Sequence, residues 1–306
     1  MDQFCEVMRL NPTLVGLEIA FNPCLGNNAI AAFMNGIATY DPPLEVLSIG
    51  QAPFNEEVSE ALGRVLRIKN QSLHRLALPC SQMRSAGARH IAEALQSNNT
   101  LMFLAVPQNP FGSKGGLHFA TALKQNSALT SLDVAGCNFD ETAACALGKA
   151  LGVNRVLRYL DLSENHLTGH GVEAVAAALH CNVSLETIHL DGVRAGIIGA
   201  EYLARALFYN ESLRTITFSN NSIRNPGALA FASALGANVM LRKVDLSFND
   251  FDAQGGAAIV AALANESDCD RNHRALDLHV NLNGNESCDE LIPPHLARSK
   301  LRIDFL

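Results

Sequence analysis

Three side chains near the middle of the 306-residue chain could exchange protons: His189 falls between Asp161 and Asp191 in segments of similar sequence. A histidine beside a carboxylate is the usual acid–base pair. Ser163 and Thr217 bring hydroxyls to related positions, yet neither lies on a glycine-rich elbow or beside an evident device for stabilising an oxyanion. No phosphate-cradling loop, dinucleotide fingerprint or metal-binding motif accompanies them. The eight cysteines, at 5, 24, 80, 137, 145, 181, 269 and 288, form no Cys-x-x-Cys pair and no zinc-spaced Cys/His cluster. They read as free thiols, with Cys269 and Cys288 the pair to watch if the protein were exported. The expectation is a non-catalytic protein without cofactor or metal, whose polar residues bind rather than react.

What must position these residues is visible in their spacing. Leucines recur every 28 residues at 73, 101, 129, 157, 185, 213 and 241, preceded by Leu44 and Leu14. A fixed period of this size marks a stack of like units. Each unit opens Leu-x-x-(Leu/Ile/Val)-x-(Leu/Val/Phe/Ile), as in Leu157-Arg158-Tyr159-Leu160-Asp161-Leu162, and runs on to a column occupied by Asn22, Asn109, Asn165, Asn221 and Asn249, with Ala52, Ser81, Cys137 and Val193 as variants. The opening alternation is that of a strand. The second half carries a small residue (Gly171, Gly199 and Gly227, for example), then apolar columns one helical turn apart, such as Val175 and Leu179. That is the buried stripe of an amphipathic helix.

Every unit is therefore strand, loop, helix. After each helix an Asn returns, from Asn70 to Asn238, a residue that tolerates the left-handed conformation that commonly ends a helix and can hydrogen-bond local backbone. Asn70, Asn98, Asn182 and Asn210 also read as glycosylation acceptors, but Asn126, Asn154 and Asn238 hold the same column without the signal. Turn geometry accounts for all seven.

The 28-residue unit, with Leu160-Asp161-Leu162-Ser163-Glu164-Asn165 and Val244-Asp245-Leu246-Ser247-Phe248-Asn249, resembles the ribonuclease-inhibitor-type leucine-rich repeat over about residues 4–282. The resemblance implies an α/β fold: a horseshoe-like solenoid with a parallel sheet on the concave face and helices on the convex face. One elongated domain, 1–306, of about nine to ten repeats is expected, with 1–13 a partial N-terminal repeat that begins inside a helix. Residues 265–306 are expected to form an irregular cap, because the strand around Leu276-Asp277-Leu278, reaching Asn281, is followed by Pro293-Pro294. Leu301, Ile303 and Phe305 alternate as a terminal strand would.

In such a repeat, positions three, five and seven of the strand segment project from the open face. The N-terminal half of that face reads small and apolar. The C-terminal half reads polar and acidic: Tyr159, Asp161, Ser163; Thr187, His189, Asp191; Thr215, Thr217, Ser219; Lys243, Asp245, Ser247; and Ala275, Asp277, His279. Asp133, Asp161 and His189 are expected to form a ladder beside Asp191 and Tyr159. The candidate partner-binding residues are thus Phe103, Asp133, Tyr159, Asp161, His189, Asp191, Thr217 and Asp245, with Phe103 and Tyr159 as aromatic anchors. The bland alternative is a solvated face in which Asp is simply a frequent repeat residue. Phe21 and Phe248, just before the loop asparagines, are either exposed or packed beneath their loops, with packing the favoured reading.

With 48% apolar and 17% charged residues the chain can bury a core. Its formal net charge of −7 disfavours binding through nucleic-acid phosphates. It shows no basic-plus-apolar leader and no run of 18 apolar residues, so a cytoplasmic protein that binds a protein partner with a basic surface, and no membrane, is expected. The family resemblance implies two further readings. One is a GTPase activator of the Ran GTPase activator type, which Gly192-Val193-Arg194 matches only locally and without the acidic tail. The other is the sensing region of a larger NLR-like receptor.

Overall fold

The computed structural model describes residues 10–11, 13–19, 25–67, 72–264, 278–285 and 302–304. Contacts divide the chain into two compact units, Met1–Phe139 and Asp140–Leu306. The first holds β1 (Gly16–Ile19), α1 (Asn27–Tyr40), β2 (Val46–Ile49), α2 (Glu56–Arg67), β3 (Arg75–Ala77), α3 (Ser85–Leu95), β4 (Phe103–Ala105), α4 (Gly112–Leu123) and β5 (Ser131–Asp133). The second holds α5 (Glu141–Leu151), β6 (Tyr159–Asp161), α6 (Thr168–Leu179), β7 (Thr187–His189), α7 (Gly196–Tyr209), β8 (Thr215–Thr217), α8 (Arg224–Ala237), β9 (Lys243–Asp245), α9 (Ala253–Ala264), β10 (His279–Asn281) and β11 (Arg302–Asp304).

Within each unit the strands are parallel and follow chain order. In the first, Val46 pairs Arg75, Arg75 pairs Phe103 and Phe103 pairs Ser131. In the second, Tyr159 pairs Thr187, Thr187 pairs Thr215, and Thr215 pairs Lys243. Parallel neighbours require a crossover, and in each unit a helix supplies it. This is the α/β solenoid that the 28-residue period predicts.

The core lies between strands and helices. Leu157, Leu160, Leu162, Val175 and Leu179 are all fully buried, and so are their counterparts Leu185, Ile188, Leu190, Leu203 and Leu207. The small column lets helices approach. A Cβ on Gly199 would stand 2.7 Å from the Ala195 Cβ and 3.2 Å from the Val172 Cβ; on Gly227, 2.6 Å from the Ile223 Cβ and 3.0 Å from the Ala200 Cβ.

Two sets of asparagines stitch successive repeats. The loop asparagines reach back to the preceding loop: Asn221 Oδ1 accepts from the Val193 and Ala195 amides, while its Nδ2 donates to the Leu190 carbonyl. The asparagines after each helix donate to the preceding helix end, as Asn182 Nδ2 does to Leu151 O at 2.8 Å, and their Oδ1 accepts from the amides that open the next strand segment.

These post-helix residues are not left-handed. Asn210 has φ −76° and ψ 129°, and Asn238 φ −76° and ψ 123°. An extended backbone is what aims the amide across the repeat boundary, so the turn is held by side-chain bonding rather than by αL geometry. Asn182 and Asn210 are 2% and 4% exposed, which keeps both sequons out of reach of glycosylation in the folded chain. Positive φ occurs instead just before the loop column, at Glu164, Gly192, Asn220, Phe248 and Gly284.

The last repeat departs from the expected frame by four residues. His279 pairs Lys243 and Val280 pairs Val244, and Asn285 rather than Asn281 takes the loop-column role, accepting from the Asn249 amide at 2.8 Å. Lengthening the preceding segment moved the whole pattern, because the buried alternation of Leu278, Val280 and Leu282 decides the register. The expected terminal strand is present: Ile303 pairs Val280. Residues 1–9, Phe21, Asn70, Cys269, Ala275, Asp277, Cys288 and Pro293-Pro294, on which other expectations fall, lie outside the described residues.

Candidate partner-binding face

On the strand face of the second unit, Asp161 and His189 are direct register partners, as the repeat alignment predicts. The hydrogen bonds, however, run elsewhere. His189 Nδ1 lies 2.8 Å from Thr217 Oγ1, and the Thr217 hydroxyl donates to Asp191 Oδ2 at 2.5 Å. Asp191 Oδ1 accepts from the Ser219 amide and hydroxyl at 2.7 and 2.9 Å. The Asp191 amide in turn donates to Ser163 Oγ.

Proton accounting orients this chain. Thr217 has one hydroxyl proton, and the carboxylate takes it, so Thr217 Oγ1 accepts from a His189 Nδ1–H. The imidazole is held in one tautomer by its second neighbour, and its plane is steadied by the Tyr159 ring, 5.2 Å away between centroids at 58°.

Thr217 is buried and its hydroxyl is committed at both ends. Asp191 accepts from three internal donors. Asp245 is similarly engaged, accepting from Ser247 N and Oγ on Oδ1 and from Asn281 Nδ2 on Oδ2. Asp161 differs: Oδ1 accepts from the Ser163 amide at 2.9 Å, and no described group bonds Oδ2.

In the first unit, Phe103 is exposed on β4 with the Arg75 guanidinium 4.5 Å from its ring centroid. Asp133 sits on β5, its Oδ1 capping the Ala135 amide. These two belong to the first unit and the other six candidates to the second, and Tyr159, Asp161 and His189 are the ones brought side by side. The sequence placed Ser163, Ser219 and Ser247 on this face, Ser163 also as a candidate hydroxyl, but did not show them as supports of the neighbouring carboxylates and amides. For Ser163 and Ser247 the signal was the Asp-x-Ser at the strand end, which places an amide and a hydroxyl two residues after a carboxylate, whereas Ser219 follows Thr217 and serves Asp191 of the preceding repeat.

Phe248 is 60% exposed at φ 52°, against the expectation that it packs. Its ring lies over Gly284, where any Cβ would fall 2.3 Å from a ring carbon. The left-handed backbone just before the loop asparagine turns the side chain outward, and a bulky residue there is strained. Phe248→Asn is therefore expected to keep or raise the thermal midpoint, by on the order of 0.5 kcal/mol; a drop in thermal denaturation would show that the ring is a packing element. Arg194 stands exposed at φ 61° on the loop after β7.

Residues 153–176, 209–232 and 237–260 each match the family model described as Leucine Rich repeat. The chain carries leucine-rich repeats. No curated protein sequence matches it. Among solved structures, the TLR13–ssRNA13 complex is similar with a TM-score of 0.51 at 15% identity, over 89% of this chain and 34% of that one. Actin-binding site 2 of leiomodin-1 gives 0.39 at 20% identity, over 60% and 91% of the two chains. The tropomodulin C-terminal domain of Caenorhabditis elegans gives 0.40 at 14%, over 47% and 89%. At these identities the likeness concerns the fold alone.

Proposed function

We propose that this leucine-rich-repeat protein is a non-catalytic scaffold that binds a protein partner through the strand face and adjoining loops of its second unit. The observation that carries the reading is the internally bonded row Ser163, Asp191, Thr217 and Ser219, which fixes Tyr159, His189 and Asp161 in place before any partner arrives. Side chains already ordered lose little entropy on binding. The acidic surplus on this face suits a partner with a basic surface rather than a nucleic-acid backbone.

The same row argues against chemistry. A nucleophilic hydroxyl must give its proton to the histidine, whereas here Thr217 gives it to Asp191 and accepts from His189. We also assign the repeats to the ribonuclease-inhibitor type, on the strength of the 28-residue unit with a full helix in each described crossover. A cytosolic setting fits the thiols of Cys80, Cys145 and Cys181, which form no disulfide, and the buried sequon asparagines.

Asp161→Lys tests the reading without touching the core. Affinity capture with quantitative mass spectrometry is expected to lose at least one protein that wild type recovers. Equal recovery of every partner by a folded Asp161→Lys variant would reject the strand face as the binding surface.

A further inference from the structure

We infer that Tyr159, Asp161 and His189 form a recognition subsite for an arginine side chain of the partner, an inference that rests on the strand-face reading. Three observations converge. His189 Nδ1 is consumed by Thr217, so in the neutral ring Nε2 carries the lone pair, and no described group bonds it. Asp161, its register partner on β6, offers Oδ2, likewise without a described partner. Tyr159 adds an aromatic ring in contact with the imidazole.

Two acceptors on adjacent strands, about 4.8 Å apart, beside an aromatic ring ask for a planar, multiply donating cation. Guanidinium meets that demand: its donors leave several edges at once while its plane stacks on the ring. An ammonium is a point charge with no plane to stack, and its stronger hydration disfavours it at a half-buried site. Asp191 and Thr217 do not touch the arginine. They are positioning residues that set the tautomer.

The test uses the whole chain with ring-labelled histidine, titrated by NMR with N-acetyl-arginine amide, N-acetyl-lysine amide and N-acetyl-citrulline amide. His189→Gln identifies the resonance. The arginine probe is expected to shift His189 saturably and more tightly than the lysine probe, with no saturable shift from citrulline. Asp161→Asn is expected to weaken the arginine probe about tenfold. Thr217→Val is expected to move the ring nitrogen shifts toward the other tautomer and to weaken the probe as well.

A response unchanged in Asp161→Asn, or equal for arginine and citrulline, overturns the subsite. The two readings fail separately. If Asp161→Lys loses a partner but the probe does not bind, the face stands and the arginine assignment falls. If the probe binds and no partner is lost, the subsite stands and the scaffold reading falls.

Discussion

Asn221→Ala is expected to destabilise the protein by at least ~3 kcal/mol in urea unfolding, more than removal of a typical hydrogen bond. Asn221 is 2% exposed. Its Oδ1 serves the Val193 and Ala195 amides at 3.0 and 3.2 Å, and its Nδ2 serves the Leu190 and Ser219 carbonyls at 2.7 and 3.0 Å. Truncation removes a partner from four backbone groups; Ser219 O keeps the Gly192 amide, and each of the other three, left unsatisfied while buried, costs ~1–3 kcal/mol. Water entering the space vacated by the side chain would offset part of that, which is why the lower bound is set well below the sum. Asn221→Asp should cost no less, because it keeps the acceptor but buries a carboxylate whose second oxygen faces the Leu190 and Ser219 carbonyls. An Asn221→Ala midpoint equal to that of wild type would show that these four bonds do not hold the loop.

The second large effect runs against helix propensity. Gly148 lies inside α5, where an alanine would ordinarily stabilise by ~1 kcal/mol. Here a Cβ would stand 2.5 Å from the Ala174 carbonyl oxygen and 2.8 Å from its carbon, both backbone atoms of α6. Neither atom can swing aside as a side-chain end does, so the helices must separate. Gly148→Ala is expected to lower stability by ~1–3 kcal/mol, the usual cost of overpacking. A thermal midpoint at or above wild type would mean that α5 and α6 slide apart without loss. Gly152, whose added Cβ would find nothing nearer than 3.6 Å, provides the matched comparison: Gly152→Ala should be close to neutral.

Much of this architecture was legible in the sequence because one constraint repeats. A residue that recurs every 28 positions in a strand or helix column is either buried or bonded, and Leu160, Leu179 and Leu207 are completely buried. The frame failed where the period failed: between Asn249 and Asn285 no 28-residue ruler applies, and matching Leu276-Asp277-Leu278 to the strand motif put Asn281 in the wrong role. The backbone angle of the post-helix asparagines was not legible for another reason. Asparagine tolerates left-handed φ, but its amide here has a partner one repeat away, and reaching it requires an extended conformation.

At the candidate face, the sequence placed Asp161 beside His189 because strand alignment does so. It did not reveal that Thr217 comes between His189 and Asp191. That depends on a hydroxyl on β8 reaching a carboxylate just beyond β7, a geometry set by loop curvature rather than by residue type. Phe248 escaped for a related cause: apolar character argues for burial, while the sign of one φ angle decides the direction of the side chain.

The loop asparagines also have a direction in time. Asn221 completes the loop that contains Val193, Asn249 accepts from the Asn221 amide, and Asn285 accepts from the Asn249 amide. Each loop is thus finished by a residue translated later. The post-helix asparagines point the opposite way, toward helix ends already made. During synthesis the helix side of each repeat can be sealed as soon as the next turn emerges, while its loop waits for the following strand and loop to leave the ribosome. In the repeats joined by these asparagines the loop edge is therefore the last part to mature, and the place where a stalled chain would expose unpaired amides.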